Sequence, residues 1–305
     1  MSLGRVSNGM MTSSLLGDIN SLTTRIARTQ QSISSGRQIT APSDDPLGTQ
    51  RSLGLRSVIE GAQQHQRNID EATGWLQVTD DALGDISNII NRAKELTVQG
   101  ASDSLGPQQR EAIALEIDQL IAASKDSGNA TFQGSYVFSG TKTTTAPYSA
   151  ATGDAYQGDP TGVVARTIGP AVSVPINTRA SDVLGSGQGA DTKLLATLKD
   201  IADHLRSNTV TDRNALRNGD LKALNDNQDA LNATRATVGA VQSRLDSAKS
   251  RLADVETTTT TLLSQTEDTD LAKAILDLTN QQNTYQAALR SGASIIQPSL
   301  LDFLR

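Results

Sequence analysis

The sequence predicts a mainly α protein, with long coiled-coil-like helices contributed by both chain ends and a small β-rich insertion in the middle, α+β overall. Three observations carry this. Apolar residues recur three, four and seven apart over most of residues 1–130 and again from Asp191 onward, which gathers them on a helix stripe and not on alternating strand faces. Between Thr131 and Gly189 that pattern yields to Gly, Pro, Thr and Ser. Finally, 36% of the 305 residues are hydrophobic and 3% aromatic, below the roughly 45–50% apolar usage of ordinary globular domains even though that scale also counts Gly. Such a composition favours narrow helical seams over a large, wide core.

The chain divides into an N-terminal assembly segment (1–45), the N-terminal part of a helical core (46–130), a β-rich outer insertion (131–190), the C-terminal part of the helical core (191–265) and a C-terminal assembly segment (266–305). In the first, Met11, Leu15, Ile19, Leu22, Ile26 and Ile33 form one stripe, and Gly36 ends the helix as a left-handed residue. A second helix begins at Asp45-Pro46. Asp45 is the cap, able to accept a free N–H of the first turn, and Pro46 suits the first helical position because it has no N–H to leave unpaired. Leu76, Leu83, Ile86, Ile90 and Ala93 continue it to about Leu96, before Gly100 and Gly106-Pro107 punctuate the chain. Ile113, Ile117, Leu120 and Ile121 then mark a third helix ending near Gly128.

In the insertion, Tyr136-Val137-Phe138, Val163-Val164 and Val172-Ser173-Val174 read as short strands between turns at Gly158-Asp159-Pro160 and Gly169-Pro170. The stretch is too short for a substantial core of its own and should lean on the helices. The strongest seam follows. Leu224, Leu231, Val238, Leu245 and Leu252 recur every seventh residue, and Val241, Ala248, Val255 and Leu262 do so three positions behind. A helix from about Leu216 to Leu262 would be roughly 70 Å long, with Asn227 and Thr234 as polar seam residues that cost stability and fix register. Last comes the stripe Leu271, Ile275, Leu278, Tyr285, Leu289 and Ile295, followed by an apolar tail at Leu300-Leu301-Asp302-Phe303-Leu304-Arg305. The stripes at the two chain ends are natural partners, within one subunit or between subunits, which would bring both termini to one end of the molecule.

Charge and composition narrow the function. Twenty-seven basic against 33 acidic residues leave a net charge of −6, which argues against a general nucleic-acid binder. With no Cys and two His, at 65 and 204, disulfide frameworks, thiolate zinc sites and cysteine nucleophiles are excluded. No window offers the run of about 18 apolar residues that a membrane span needs, and no secretory leader is recognisable, so physics alone reads as a soluble cytoplasmic protein. Asp44-Asp45 and Glu267, Asp268 and Asp270 are more economically helix caps than acid–base or metal sites. His65 and His204 read as exposed helical residues without a triad. Gly185, Gly187 and Gly189 form a flexible loop and not a dinucleotide fingerprint. The Thr257–Thr261 run is either a soft stretch of helix or a solvated face. No catalytic residue, cofactor or metal is expected.

Specific residues then carry a resemblance. Gly36-Arg37-Gln38-Ile39-Thr40-Ala41-Pro42-Ser43-Asp44-Asp45-Pro46 resembles the segment near the start of flagellins in which a Gly-Arg precedes an acidic pair and a new helix. Val238-Gly239-Ala240-Val241-Gln242-Ser243-Arg244-Leu245-Asp246-Ser247-Ala248 is similar to the flagellin C-terminal helix motif, and residues 267–305 to the flagellin carboxyl end. The segment from Gly134 through Tyr136, Phe138, Gly140 and Lys142 to Pro147-Tyr148 is closer to the flagellar hook-associated protein 3 family; flagellins usually carry a Phe-Asn-Gly type segment there. The tail differs somewhat from both, which keeps a filament-forming flagellin as the alternative. A cytoplasmic coiled-coil scaffold is the alternative of another class.

The resemblance implies a structural adaptor joining flagellar hook to filament, packed through its terminal helices in a helical array with other hook-associated proteins, flagellin and itself. It further implies export without a cleaved signal, a dedicated export chaperone, and a place outside the cell.

Overall fold

The computed structural model describes residues 8–149, 155–187, 191–207 and 209–296. The apolar tail from Leu300 lies outside the described residues, as do the side chains of Ile295 and Ile296. The helices are α1 (Asn8–Ser35), α2 (Pro46–Gly100), α3 (Pro107–Gly128), α4 (Ala180–Val183), α5 (Leu194–Ser207), α6 (Val210–Ala215), α7 (Leu221–Glu267) and α8 (Leu271–Ile296). A π-helical turn, Leu216–Asp220, links α6 to α7, so the long helix that the heptads place from Leu216 is regular only from Leu221. The threonine run 257–261 is helical throughout, with Thr259 buried.

The chain forms two compact units, Ala62–Asp254 and Met1–Gly61 with Val255–Arg305. In the first, α2 and α7 run antiparallel. Asp80 receives Arg235 through two nitrogens at 2.9 and 3.1 Å, the Gln228 amide donates to Ser87 Oγ at 3.0 Å, and Lys249 meets Asp70 at 2.6 Å. Between these polar pairs lies the seam: Leu224, Leu231, Val238 and Leu245 are buried, and Val241 and Leu252 pack half-buried against the same core. Asn227 is buried and satisfied, donating to Ala223 O and Thr197 Oγ1. A polar residue so placed tolerates only one register of the helix against its neighbour.

Helices α3 and α5 pack together on this frame, and Arg206 of α5 reaches Asp118 and Glu111 of α3. Their apolar faces, Ile113, Ile117 and Ile121 with Leu194, Leu198, Ile201 and Leu205, join the α2/α7 residues in one continuous core. The limited apolar content is therefore concentrated more than the composition suggests.

The insertion contains two separate hairpins. In the first, β1 (Thr131–Phe132) pairs with β2 (Ser135–Tyr136) across Gln133-Gly134, both in the left-handed region (φ 49° and 79°), as a two-residue type I′ turn requires. In the second, β3 (Ala165–Gly169) pairs with β4 (Val172–Pro175) around an irregularity between Thr167 and Gly169. Val137, Phe138, Val163 and Val164, expected as strand residues, lie outside both hairpins. Val137 and Phe138 instead leave the sheet to fill the helical core, together with Tyr148, Ile168, Val174 and Ile176. The insertion does lean on the helices. Trp75 of α2 meets Phe132 edge-on at 6.3 Å, and Gly74 makes room, since a Cβ there would come within 2.8 Å of that ring. The turn at Gly185 is held by structure: Ser186 N–H donates to Asp191 Oδ2 at 2.7 Å, and the Tyr148 hydroxyl donates to Gly185 O.

Candidate assembly surface

The second unit is built differently. Its helix pair α1/α8 is antiparallel: Thr29 Oγ1 donates to Gln281 Oε1 at 3.2 Å, and a Cβ on Gly292 would approach Leu15 Cδ2 to 2.8 Å. On α1 the facing row is Leu15, Ile19, Leu22, Ile26, Thr29 and Ile33, a four-three-four-three-four spacing that keeps one seam on the partner. All six are half-buried and none is buried; Met11 is exposed.

The α8 row repeats that spacing through Ala274, Leu278, Gln281, Tyr285, Ala288 and Gly292. This differs from the sequence expectation. Leu278 and Tyr285 are in the seam, whereas Leu271, Ile275 and Leu289 are exposed, Ile275 by 53% and Leu289 by 46%. Leu276 is 66% exposed. Small residues occupy much of the seam, so the helices approach closely while the larger aliphatic side chains are left outside it. An apolar count misses Ala274, Gln281, Ala288 and Gly292; their four-three spacing with Leu278 and Tyr285 is the trace they leave in the sequence. On α7, Leu262 is half-buried and Val255 exposed.

The loops that frame this pair are tied by polar contacts. Gly36 (φ 71°) turns the chain out of α1. Asp44 Oδ2 accepts the N–H of Ala41 at 2.9 Å and the Thr40 hydroxyl at 3.0 Å, and these bonds hold its carboxyl below the ordinary carboxylate range. Asp45 Oδ1 accepts Leu47 N–H at 3.1 Å at the start of α2. In the opposite loop only Asp270 caps α8, accepting Lys273 N–H at 3.1 Å.

Glu267, which the acidic run places among these caps, is not one. It ends α7 with its side chain 5% exposed, 2.6 Å from Arg56 Nη2 and 3.7 Å from Arg37 Nε. Backbone bonds reinforce the node, Gln38 N–H to Glu267 O at 2.7 Å and Thr269 N–H to Gly36 O at 2.9 Å. A buried carboxylate requires such partners, and the acidic run by itself does not distinguish a cap from an ion pair.

Other titratable groups have structural explanations. His204 is half-buried, not exposed, with Nδ1 2.7 Å from Asp220 Oδ2 in the π-turn. Burial raises the Asp220 pKa and His204 opposes that rise. His65 is also half-buried. Among the described residues no group of three or more His, Asp or Glu side chains is placed to hold a metal ion, and no helix is long and apolar enough to cross a membrane.

Comparison with known proteins adds the following. The family model described as the bacterial flagellin N-terminal helical region matches residues 6–143, and that of the flagellin C-terminal helical region matches 221–304. The chain is 24% identical to the flagellar filament 31.3 kDa core protein of Treponema maltophilum over 92% of each chain. It is 27% identical to flagellar hook-associated protein 3 of Salmonella typhimurium over 51% of this chain and 49% of that one. The structure of flagellar hook-associated protein 3 from Legionella pneumophila shares the fold, with a TM-score of 0.60 at 15% identity over 69% of this chain and 97% of that one.

Proposed function

Because the chain belongs to the flagellin family, and is thus a flagellar structural protein, we propose that it serves as the non-enzymatic adaptor between hook and filament. Its terminal helices would pack with those of its neighbours in a helical array, with the hairpin insertion facing outward. The observation that carries this reading is the α1/α8 pair. Its α1 row is half-buried throughout, and Leu271, Ile275, Leu276 and Leu289 of α8 lie outside the seam. Each large aliphatic side chain withdrawn from water contributes about 1.5–3 kcal/mol, so surface left open in one subunit becomes driving force when others cover it.

The junction role, as distinct from the filament, draws support from the Gly134–Tyr148 segment and from the fold shared with hook-associated protein 3. The partners would be other hook-associated proteins, flagellin and further copies of the chain, reached by export through the flagellar apparatus with a chaperone shielding α8. A deletion strain tests this directly. Hooks should persist while flagellin is shed into the medium, and restoration should follow from the wild-type chain but not from Leu278→Asp with Leu289→Asp. Intact flagella in the deletion strain would overturn the junction role.

A second reading, a filament-forming flagellin, is favoured by the likeness to a filament core protein over 92% of the chain. Purified protein that polymerises alone into long filaments would establish it.

A further inference from the structure

The node around Glu267 opens on a cleft lined by Arg37, Thr40, Ser52, Leu53 and Arg56. Two guanidiniums face a single buried carboxylate. Each guanidinium carries five N–H donors. Arg56 places one on Glu267, and Arg37 Nε, at 3.7 Å, is beyond hydrogen-bond reach of it. Among the described residues no other acceptor meets either guanidinium. Both arginines are accessible, Arg37 with 54% of its side chain exposed. Leu53 stands exposed at the rim.

We propose that this cleft takes a side-chain carboxylate from a second copy of the chain. Charge complementarity names the occupant. The chain as a whole carries −6, while the residues that line the cleft bring two guanidiniums against one carboxylate. In the same unit, Asp18, Glu60 and Asp277 are exposed carboxylates with no side-chain partner among the described residues. A carboxylate entering beside Leu53 would be gripped by a planar fork of donors in partly desolvated surroundings, where such pairs fix the register of one subunit on the next. The inference rests on the assembly reading and adds to its apolar contacts a polar one that sets alignment.

The test uses the full-length chain produced in the deletion strain, with incorporation measured in isolated flagella and thermal unfolding measured on purified protein. Arg37→Gln should leave the unfolding midpoint unchanged and lower incorporation about tenfold, the loss of roughly one good charge pair, with Arg37→Lys intermediate. One of Asp18→Asn, Glu60→Gln or Asp277→Asn should lower incorporation equally and add nothing to Arg37→Gln. Charge reversal of that acid together with Arg37→Glu in one chain should then restore it. Wild-type incorporation of Arg37→Gln, a lowered unfolding midpoint, or effects of all three acids that simply add to it would each overturn the proposal. Failure of the assembly reading would appear separately, as normal incorporation of the Leu278→Asp, Leu289→Asp chain.

Discussion

The two compact units spend the same kind of sequence in opposite ways. In Ala62–Asp254, heptad positions such as Leu76, Leu83, Leu224 and Leu231 are fully covered by other helices and by the hairpin insertion. In the other unit, Ala274 is the only apolar side chain buried among the described residues, and the remaining buried side chains there are polar: Ser52, Thr259 and Glu267. Helical periodicity is present in both. What separates them is the number of layers, because a helix with neighbours on several sides closes its stripe and a two-helix pair leaves its stripe half in water.

The largest effect that could break this comparison is a core deletion. Leu83→Ala should cost about 2–5 kcal/mol, since the site is surrounded and cannot collapse fully. Chemical denaturation followed by circular dichroism checks it. An equivalent truncation on the open pair, Leu22→Ala, should cost about 1 kcal/mol or less, because that side chain keeps part of its exposure in the folded state. Equal losses at the two sites would show that α1 is covered within the monomer and would remove the case for an assembly surface.

Arg56→Ala comes next. It leaves the Glu267 carboxylate buried with only the distant Arg37, at a cost of about 1–2 kcal/mol, moderated by the exposure of Arg56. Hydrogen exchange at the Gln38 and Thr269 amides, which bridge the two loops, should accelerate while amides at Leu83 and Leu231 stay protected.

A smaller change of opposite sign is expected at Gly54. A Cβ there meets nothing within 4 Å, so Gly54→Ala should stabilise α2 by about 0.4–1 kcal/mol through the unfolded state. A destabilised Gly54→Ala monomer would contradict the open face.

The smallest effect is a local pH response in the first unit. Asp159 accepts from Thr161 and Gly162 N–H and from the Thr141 hydroxyl, and its pKa falls from 3.8 to about 2. A depressed carboxylate adds stability that is complete above its unfolded pKa and is lost as pH falls through the folded one. The Gly162 amide resonance should therefore hold steady above about pH 4 and move as pH approaches 2.

The long helices and most of the α7 seam are legible in the sequence, but neither the regular start of α7 at Leu221 nor the exposure of Val255 is. Periodicity, capping residues and glycines are local signals: Gly36, Asp45-Pro46 and Gly106-Pro107 mark boundaries because backbone conformation and orphan N–H groups are settled within a few residues. The flagellin likeness was legible for the same reason, being carried by contiguous motifs. Tertiary structure alone decided which face of α8 meets α1, because Ala274, Gln281, Ala288 and Gly292 are chosen by how closely two backbones approach and not by hydrophobicity. It alone turned Glu267 from an apparent cap into an ion-pair anchor, since Arg56 reaches it from 211 positions away in the chain. It also took Val137 and Phe138 out of the hairpin and into the helical core. In each case the deciding contact joins residues far apart in sequence, where burial and charge pairing outweigh local propensity.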